Sequence, residues 1–192
     1  EKHSGTAGPE TKLREYTGVI VEESQRLSRL IANILTFGRK QRDVLHLHLR
    51  PGVVDETIAA VIERFRPALA ADGIDVRFTA GAPHRVSLDP DALEQILNNL
   101  LSNVQKYAPR TGTVEITSLQ DGATTTIEVA DHGPGIPEKH REEVFDPFRR
   151  LSDRLTEGAS GTGLGLSIAR DLARLHGGDV RVMASESGAR LG

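Results

Sequence analysis

Residues 91–109 read DALEQILNNLLSNVQKYAP. Leu93, Ile96, Leu97, Leu100, Leu101 and Val104 recur at i, i+3, i+4, i+7 spacing, which predicts an amphipathic helix with one buried face. Asp89-Pro90 supplies an N-cap followed by proline at the first helical position, and Pro109 ends the helix near Tyr107. The polar positions also fall into order. Asn99, Asn103 and Lys106 are separated by four and three residues, so they share one stripe, with Tyr107 beside it. Asparagines in mid-helix are mildly unfavourable and usually solvated. Two on one stripe with a lysine also offer amide oxygens to a hard metal ion and a cation to phosphate. The stripe alone leaves both readings open.

Outward from this helix, residues 54–71 place Ile58, Val61, Ile62, Phe65 and Leu69 at helical spacing. Short strands are expected at 74–78 and 85–88, and two more, at 113–118 and 124–130, flank the turn residues Asp121-Gly122. Val44–Leu49 alternates, with Leu45, Leu47 and Leu49 on one side and His46 and His48 on the other, as in a half-buried strand. A last helix over 164–176 is stopped by Gly177-Gly178 and followed by a strand at 180–184. Residues 131–160 are rich in Gly, Pro and charge with little periodicity, so a long loop with a short helix near Glu142 is expected. Structureless segments of that length inside a domain are often lids, here at about 137–160. The sum is an α+β fold, a two-layer sandwich with helices on one face of a mixed sheet.

Residues 11–42 read as one long helix. Ile20, Leu27 and Ile34 recur every seven residues, as do Leu30 and Phe37, with Glu22, Glu23, Arg26, Arg29 and Lys40 between them. That coiled-coil-like stripe calls for a partner helix; the alternative is an amphipathic helix packed on its own domain. The expected boundary lies near 42–44, dividing the chain into 1–43 and 44–192.

Apolar residues at 38% and charged residues at 27% over 192 positions are those of a globular chain long enough for a real core. A net charge of −3 suggests no nucleic-acid surface. The absence of cysteine excludes disulfides and thiol catalysis and fits a reducing cytoplasm. No apolar run approaches the roughly 18–20 residues that span a bilayer, so a membrane is expected only through segments outside this chain. The opening EKHSGTAGPE is unlike a signal peptide.

Three further stretches carry chemistry. In GTGLGLSIAR (161–170), glycines at alternate positions run into an apolar helix, and helix N-termini with bare N–H groups attract anions. A P-loop is excluded because no Gly-Lys pair occurs, and a dinucleotide fingerprint because the spacing is G-x-G-x-G after polar sequence. On the glycines alone, a flexible helix start competes with a ligand site. DHGPGIP (131–137) leaves a strand ending at Ala130. Its aspartate could accept a hydrogen bond from an amino group, or the segment could be a plain turn. VFDPFRRL (144–151) puts Phe145 and Phe148 into an otherwise polar loop, as loop anchors or as local core.

In order, NNLLSNVQKY, DHGPGI, VFDPF and GTGLGLSIAR resemble the N box, first glycine box, F box and second glycine box of two-component sensor histidine kinases. Over about 44–184 the chain is similar to that family's ATP-binding catalytic domain, the Bergerat fold. Residues 11–42 resemble the second helix of its dimerisation and phosphoacceptor hairpin. The resemblance implies that Asn103 coordinates Mg²⁺ on the ATP phosphates, with Asn99 helping, and that Lys106 reaches phosphate. It implies that Tyr107 packs on adenine or ribose and that Asp131 accepts from the adenine amino group. Gly133 and Gly135 would allow close approach there, and Ile136 would line the base. Phe145 and Phe148 would anchor the lid, and Arg150 would contact phosphate as the lid moves. Gly161, Gly163 and Gly165, with Thr162 and Leu164 between them, would wrap the phosphates.

The implied activity is transfer of the ATP γ-phosphate to a histidine on the hairpin, for relay to an aspartate of a response-regulator receiver domain. The implied parent is a homodimer through the N-terminal helix. In the related gyrase, mismatch-repair and heat-shock chaperone ATPases, a glutamate at the position of Asn99 activates water. An amide cannot act as a base, which favours transfer over hydrolysis. The family's acceptor histidine lies on a helix and is followed by an acidic residue. None of His3, His46, His48, His84, His132, His140 or His176 fits, so the acceptor is expected outside this chain. After GARLG the family usually has one more strand, so the sheet is expected to lack an edge. A hydrolytic Bergerat ATPase and a dimerisation module dead to nucleotide are the alternatives.

Overall fold

The computed structural model describes residues 9–108, 112–150, 162–185 and 188–192. Helix α1 (Pro9–Gln41) is followed by β1 (Arg50–Val53), α2 (Val54–Ala71), β2 (Ile74–Thr79), β3 (Arg85–Leu88) and α3 (Pro90–Tyr107). Then come β4 (Gly112–Asp121), β5 (Thr124–Ala130), 3₁₀ turns at Glu138–His140 and Glu143–Phe145, α4 (Gly165–Leu175) and β6 (Arg190–Leu191). One sheet has the order β2-β4-β5-β6, with β2 parallel to β4 and the remaining pairs antiparallel; β1 and β3 form a separate antiparallel pair.

The apolar stripes meet as their spacing requires. Ile58, Val61, Ile62, Phe65 and Leu69 of α2 and Leu93, Leu97, Leu100, Leu101 and Val104 of α3 bury against Ile74, Val76, Val114, Ile116 and Val129 of the sheet. Each such side chain contributes roughly 1.5–3 kcal/mol through removal from water. A smaller cluster of Ala92, Leu164, Ile168 and Leu172 lies under α4, closed by Phe37, Leu45 and Leu47.

Two expected strands differ. Residues 44–49 form no ladder, and strand pairing begins only at Arg50. Leu45 and Leu47 pack on the α4 cluster while Leu49 is exposed, and the His48 N–H donates to Asp89 Oδ2 at 2.8 Å. Side-chain burial and a cap therefore hold this segment, which is why alternation was a poor guide to pairing. At the C-terminus a two-residue strand forms within GARLG itself. Arg190–Leu191 of GARLG pairs with β5, and residues 181–183 pair outside it through Val182↔Leu191 and backbone bonds to Arg190 and Gly192. The segment at 180–184 is thus reduced to an isolated bridge on the rim, because the last residues fold back between it and β5.

Asp89 fastens two segments with one carboxylate. Its carboxylate accepts from the N–H groups of Asp91 and Ala92 at the start of α3 and from His48. Burial opposes its ionisation, but the donors of His48, Ala92 and Asp91 outweigh that and hold its pKa below the usual aspartate value. Asp89→Ala should cost about 1–2 kcal/mol in urea melts at neutral pH. Because the folded-state pKa is depressed, the carboxylate's contribution is full above the unfolded value of about 4 and is lost as pH falls through the folded one. The gap between wild type and variant should therefore shrink in melts taken at decreasing acid pH.

Candidate functional site

The face of α3 opposite its leucines meets the start of α4. Asn99 is buried, and a Cβ built on Gly165 would lie 3.3 Å from its Oδ1. The two stretches separated by more than sixty residues in sequence are therefore in contact, and glycine keeps that contact open. Asn33 Nδ2 of α1 donates to Asn99 Oδ1 at 2.9 Å, while Asn99 Nδ2 is buried with no partner among the described residues. An orphaned buried amide costs on the order of 1–3 kcal/mol, so a site that retains one is a candidate for function. Asn103 is half-buried one turn further along α3, and Lys106 reaches solvent beyond it. Desolvation around the Lys106 ammonium, followed by the charges of Arg29, Arg26 and Arg150, lowers its pKa.

At the C-terminal end of α3, Tyr107 is exposed and its carbonyl would lie 2.9 Å from a Cβ on Gly133. Asp131 is buried, and its Oδ1 accepts from the N–H groups of Gly133 at 2.7 Å and Ala189 at 3.2 Å. Among the described residues Oδ2 has no protein donor, so it can accept from outside. Backbone crowds this carboxylate on both sides: a Cβ on Gly135 would stand 2.8 Å from the Gly188 carbonyl oxygen, and one on Gly188 would stand 1.8 Å from that of Asp131. Ile136 packs partly against the core.

The segment between these walls is held at both ends. Phe145 is buried, and the Arg170 guanidinium of α4 sits 4.5 Å from its ring centroid. Arg170 also pairs with Asp179 at 2.8 Å and Glu142 at 2.8 Å, and the Arg170 guanidinium holds the Asp179 carboxyl far below the usual range. Phe148 lies at the other end. It is 63% exposed, with φ +66, and its ring meets Phe37 of α1 edge-on at 5.4 Å. Phe145 is thus held in the core and Phe148 against α1. The Phe148 N–H donates to the Gly163 carbonyl at 3.0 Å, and Gly163, with φ +72, would drive a Cβ to 2.7 Å from Phe148 backbone. Thr162 Oγ1 accepts from Leu164 N–H at 3.4 Å, Leu164 is buried under α4, and Arg150 is exposed. Gly161 and much of the expected lid lie outside the described residues.

Sequence reasoning missed the α1 side of the site. Gln95 Nε2 donates to Asn33 Oδ1 at 3.2 Å and Thr36 Oγ1 at 3.0 Å, so Asn33, Thr36, Gln95 and Asn99 form one network between α1 and α3. The signal was a polar stripe of Arg26, Arg29, Asn33 and Thr36 at helical spacing, overshadowed by the apolar heptads beside it.

A family model described as histidine kinase-, DNA gyrase B-, and HSP90-like ATPase matches residues 88–191. The sensor protein IrlS of Burkholderia pseudomallei is 36% identical over 167 residues, covering 85% of this chain and 36% of IrlS. The chain thus spans about a third of that relative's length. The crystal structure of full-length ShkA in complex with AMPPNP matches at TM-score 0.73 and 26% identity, over 97% of this chain and 38% of ShkA. The histidine kinase ThkA, in complex with the response regulator protein TrrA, matches at TM-score 0.69 and 27% identity, over 98% of this chain and 52% of its own.

Gly188→Ala should cost at least about 2 kcal/mol, since it combines a positive φ with overlap on the Asp131 backbone. Gly178→Ala, whose Cβ would meet only the Ala173 carbonyl at 3.6 Å, is the control and should melt within about 1 kcal/mol of wild type. Equal losses in thermal melts would contradict the crowding at Asp131.

Proposed function

The chain belongs to the histidine kinase-, DNA gyrase B-, and HSP90-like ATPase family, and we propose that it is the ATP-binding catalytic portion of a two-component sensor histidine kinase. The observation that carries this is the contact of Asn99 with Gly165: it joins the amide stripe of α3 to the glycine-rich start of α4. In this reading residues 44–192 bind nucleotide and residues 1–43 belong to a dimerisation hairpin. The parent protein is a cytoplasmic or membrane-anchored homodimer that passes phosphate to a receiver domain.

The donor set fits both nucleotide and Mg²⁺. Asn103 presents a hard amide oxygen of the kind Mg²⁺ takes together with phosphate oxygens, Asn99 would join it through the lone pair its Oδ1 keeps beside the bond from Asn33, and bound there the ion would neutralise charge on the transferring phosphoryl group. Asp131 Oδ2 takes the adenine amino hydrogen, with Gly133, Gly135 and Ile136 beside the base and Tyr107 at its edge. Lys106 and Arg150 supply positive charge to the phosphates, and the backbone of Thr162, Gly163, Leu164 and Gly165 would lie along them.

Catalysis here is positioning and charge neutralisation. An imidazole nitrogen of a hairpin histidine attacks the γ-phosphorus, the bond to the bridging β,γ-oxygen breaks, and ADP leaves with the electron pair. The imidazole proton passes to solvent or a neighbouring base. Asn99 holds a ligand position without activating water, because an amide has no basic lone pair of useful pKa.

Titration with a fluorescent ATP analogue, with and without Mg²⁺, tests the binding step. Wild type should bind in the micromolar-to-millimolar range, and Asn103→Asp and Asp131→Ala should abolish binding while keeping the wild-type circular dichroism spectrum. Incubated with radiolabelled ATP, the chain should not label itself on histidine, whereas a histidine-bearing hairpin supplied in trans should become labelled. Unchanged affinity in both variants would overturn the site, and rapid ATP hydrolysis without transfer would overturn the kinase reading.

A further inference from the structure

We propose that α1 builds one wall of the phosphate site, with Arg29 and Arg26 reaching the polyphosphate of a nucleotide bound along Asn103 and Lys106. The proposal rests on the reading of α3 as a nucleotide site and assigns that site two residues from a different helix.

The register of the two helices carries the argument. Asn33 bonds Asn99 and Gln95, while Thr36, further along α1, bonds only Gln95 of the two, so α1 runs antiparallel to α3. Stepping back four residues from Asn33 reaches Arg29, and stepping forward four from Asn99 reaches Asn103. Three further steps on each helix reach Arg26 and Lys106. With the same rise per residue on both helices, the pairs follow in the same order, and the charges of Arg29 and Arg26 are felt at Lys106. The docking face of α1 is therefore Arg26, Arg29, Asn33, Thr36 and Lys40, the last bonded to Asp171 of α4 at 2.6 Å. Ile20, Leu27 and Ile34, the apolar heptad stripe, are exposed on the other side.

Arg29 is half-buried, with its guanidinium 5.7 Å from the Phe65 ring centroid, so its stem is packed and its charge is held in place. Arg26, part-exposed at the edge of this face, pairs with Glu23 at 3.0 Å. No carboxylate among the described residues pairs with Arg29 or Lys106. Burial and then Arg26 lower the pKa of Arg29, just as its neighbours lower that of Lys106. Gathering cations without a counter-charge costs free energy, and a polyanion between them converts that cost into attraction. Linkage makes the effect reciprocal: docked α1 strengthens nucleotide binding, and nucleotide strengthens docking by the same factor.

The test is calorimetric titration of the whole chain with Mg·ATP and, separately, with adenosine. Arg29→Met keeps the apolar stem over Phe65 and removes only the charge. It should weaken Mg·ATP binding about tenfold, the scale of one charged hydrogen bond, and change adenosine binding less than about twofold. Arg29→Lys should recover most of the loss, and Arg26→Ala should show a smaller loss of the same phosphate-selective kind. Equal ATP affinity in wild type and Arg29→Met, or equal losses for ATP and adenosine, would overturn the proposal. A wild type that binds neither ligand would instead overturn the nucleotide site on which it rests.

Discussion

Helix α3 has to satisfy two demands with a single period. Leu93, Leu97, Leu100, Leu101 and Val104 bury one face in the core, and the same 3.6-residue repeat sends Asn99, Asn103 and Lys106 along another. Neither set can move without the other. The core therefore positions the amides rigidly, and a rigid helix is a better platform for a ligand site than a loop. The cost is local and visible: Asn99 is drawn into the protein with one amide hydrogen-bonding group left over.

The facing wall adds charge to apolar burial. Helix α4 would be a short amphipathic segment resting on a small cluster of four buried side chains. Arg170 ties it to Asp179, Glu142 and Phe145 in one stroke, which secures the segment carrying Phe145 against it. An ion pair shielded to this degree, with a ring stacked on the guanidinium, is worth more than an exposed one. Glycine then does what no other residue can at Gly163, where positive φ meets backbone in the space of a Cβ, and at Gly165 it spares the Asn99 amide a tight contact.

The element plan was legible because long amphipathic helices and turn-bounded strands leave strong periodic signals. Helix α2 begins at Val54 and ends at Ala71 as its apolar spacing required, and Asp89-Pro90 marked the start of α3. The errors came where periodicity and pairing separate. Leu45 and Leu47 alternate because they bury, with no strand beside them, and the chain's last residues pair with β5 although their sequence shows no strand pattern. Pairing depends on which edge is open, and that is a property of the assembled sheet.

The residues of the candidate site divide along the same line. Sequence by itself determined which side chains share a face of α3, where the glycines stand, and that Asp131 follows a strand, since these rest on local helical and turn geometry. Only the tertiary structure decided that Asn99 meets Gly165, that Asp131 is gripped by Gly133 and Ala189, and that Phe148 meets Phe37. It alone brought the polar stripe of α1 onto α3, because contact between two helices depends on how their faces dock, and neither helix encodes that docking in its own periodicity.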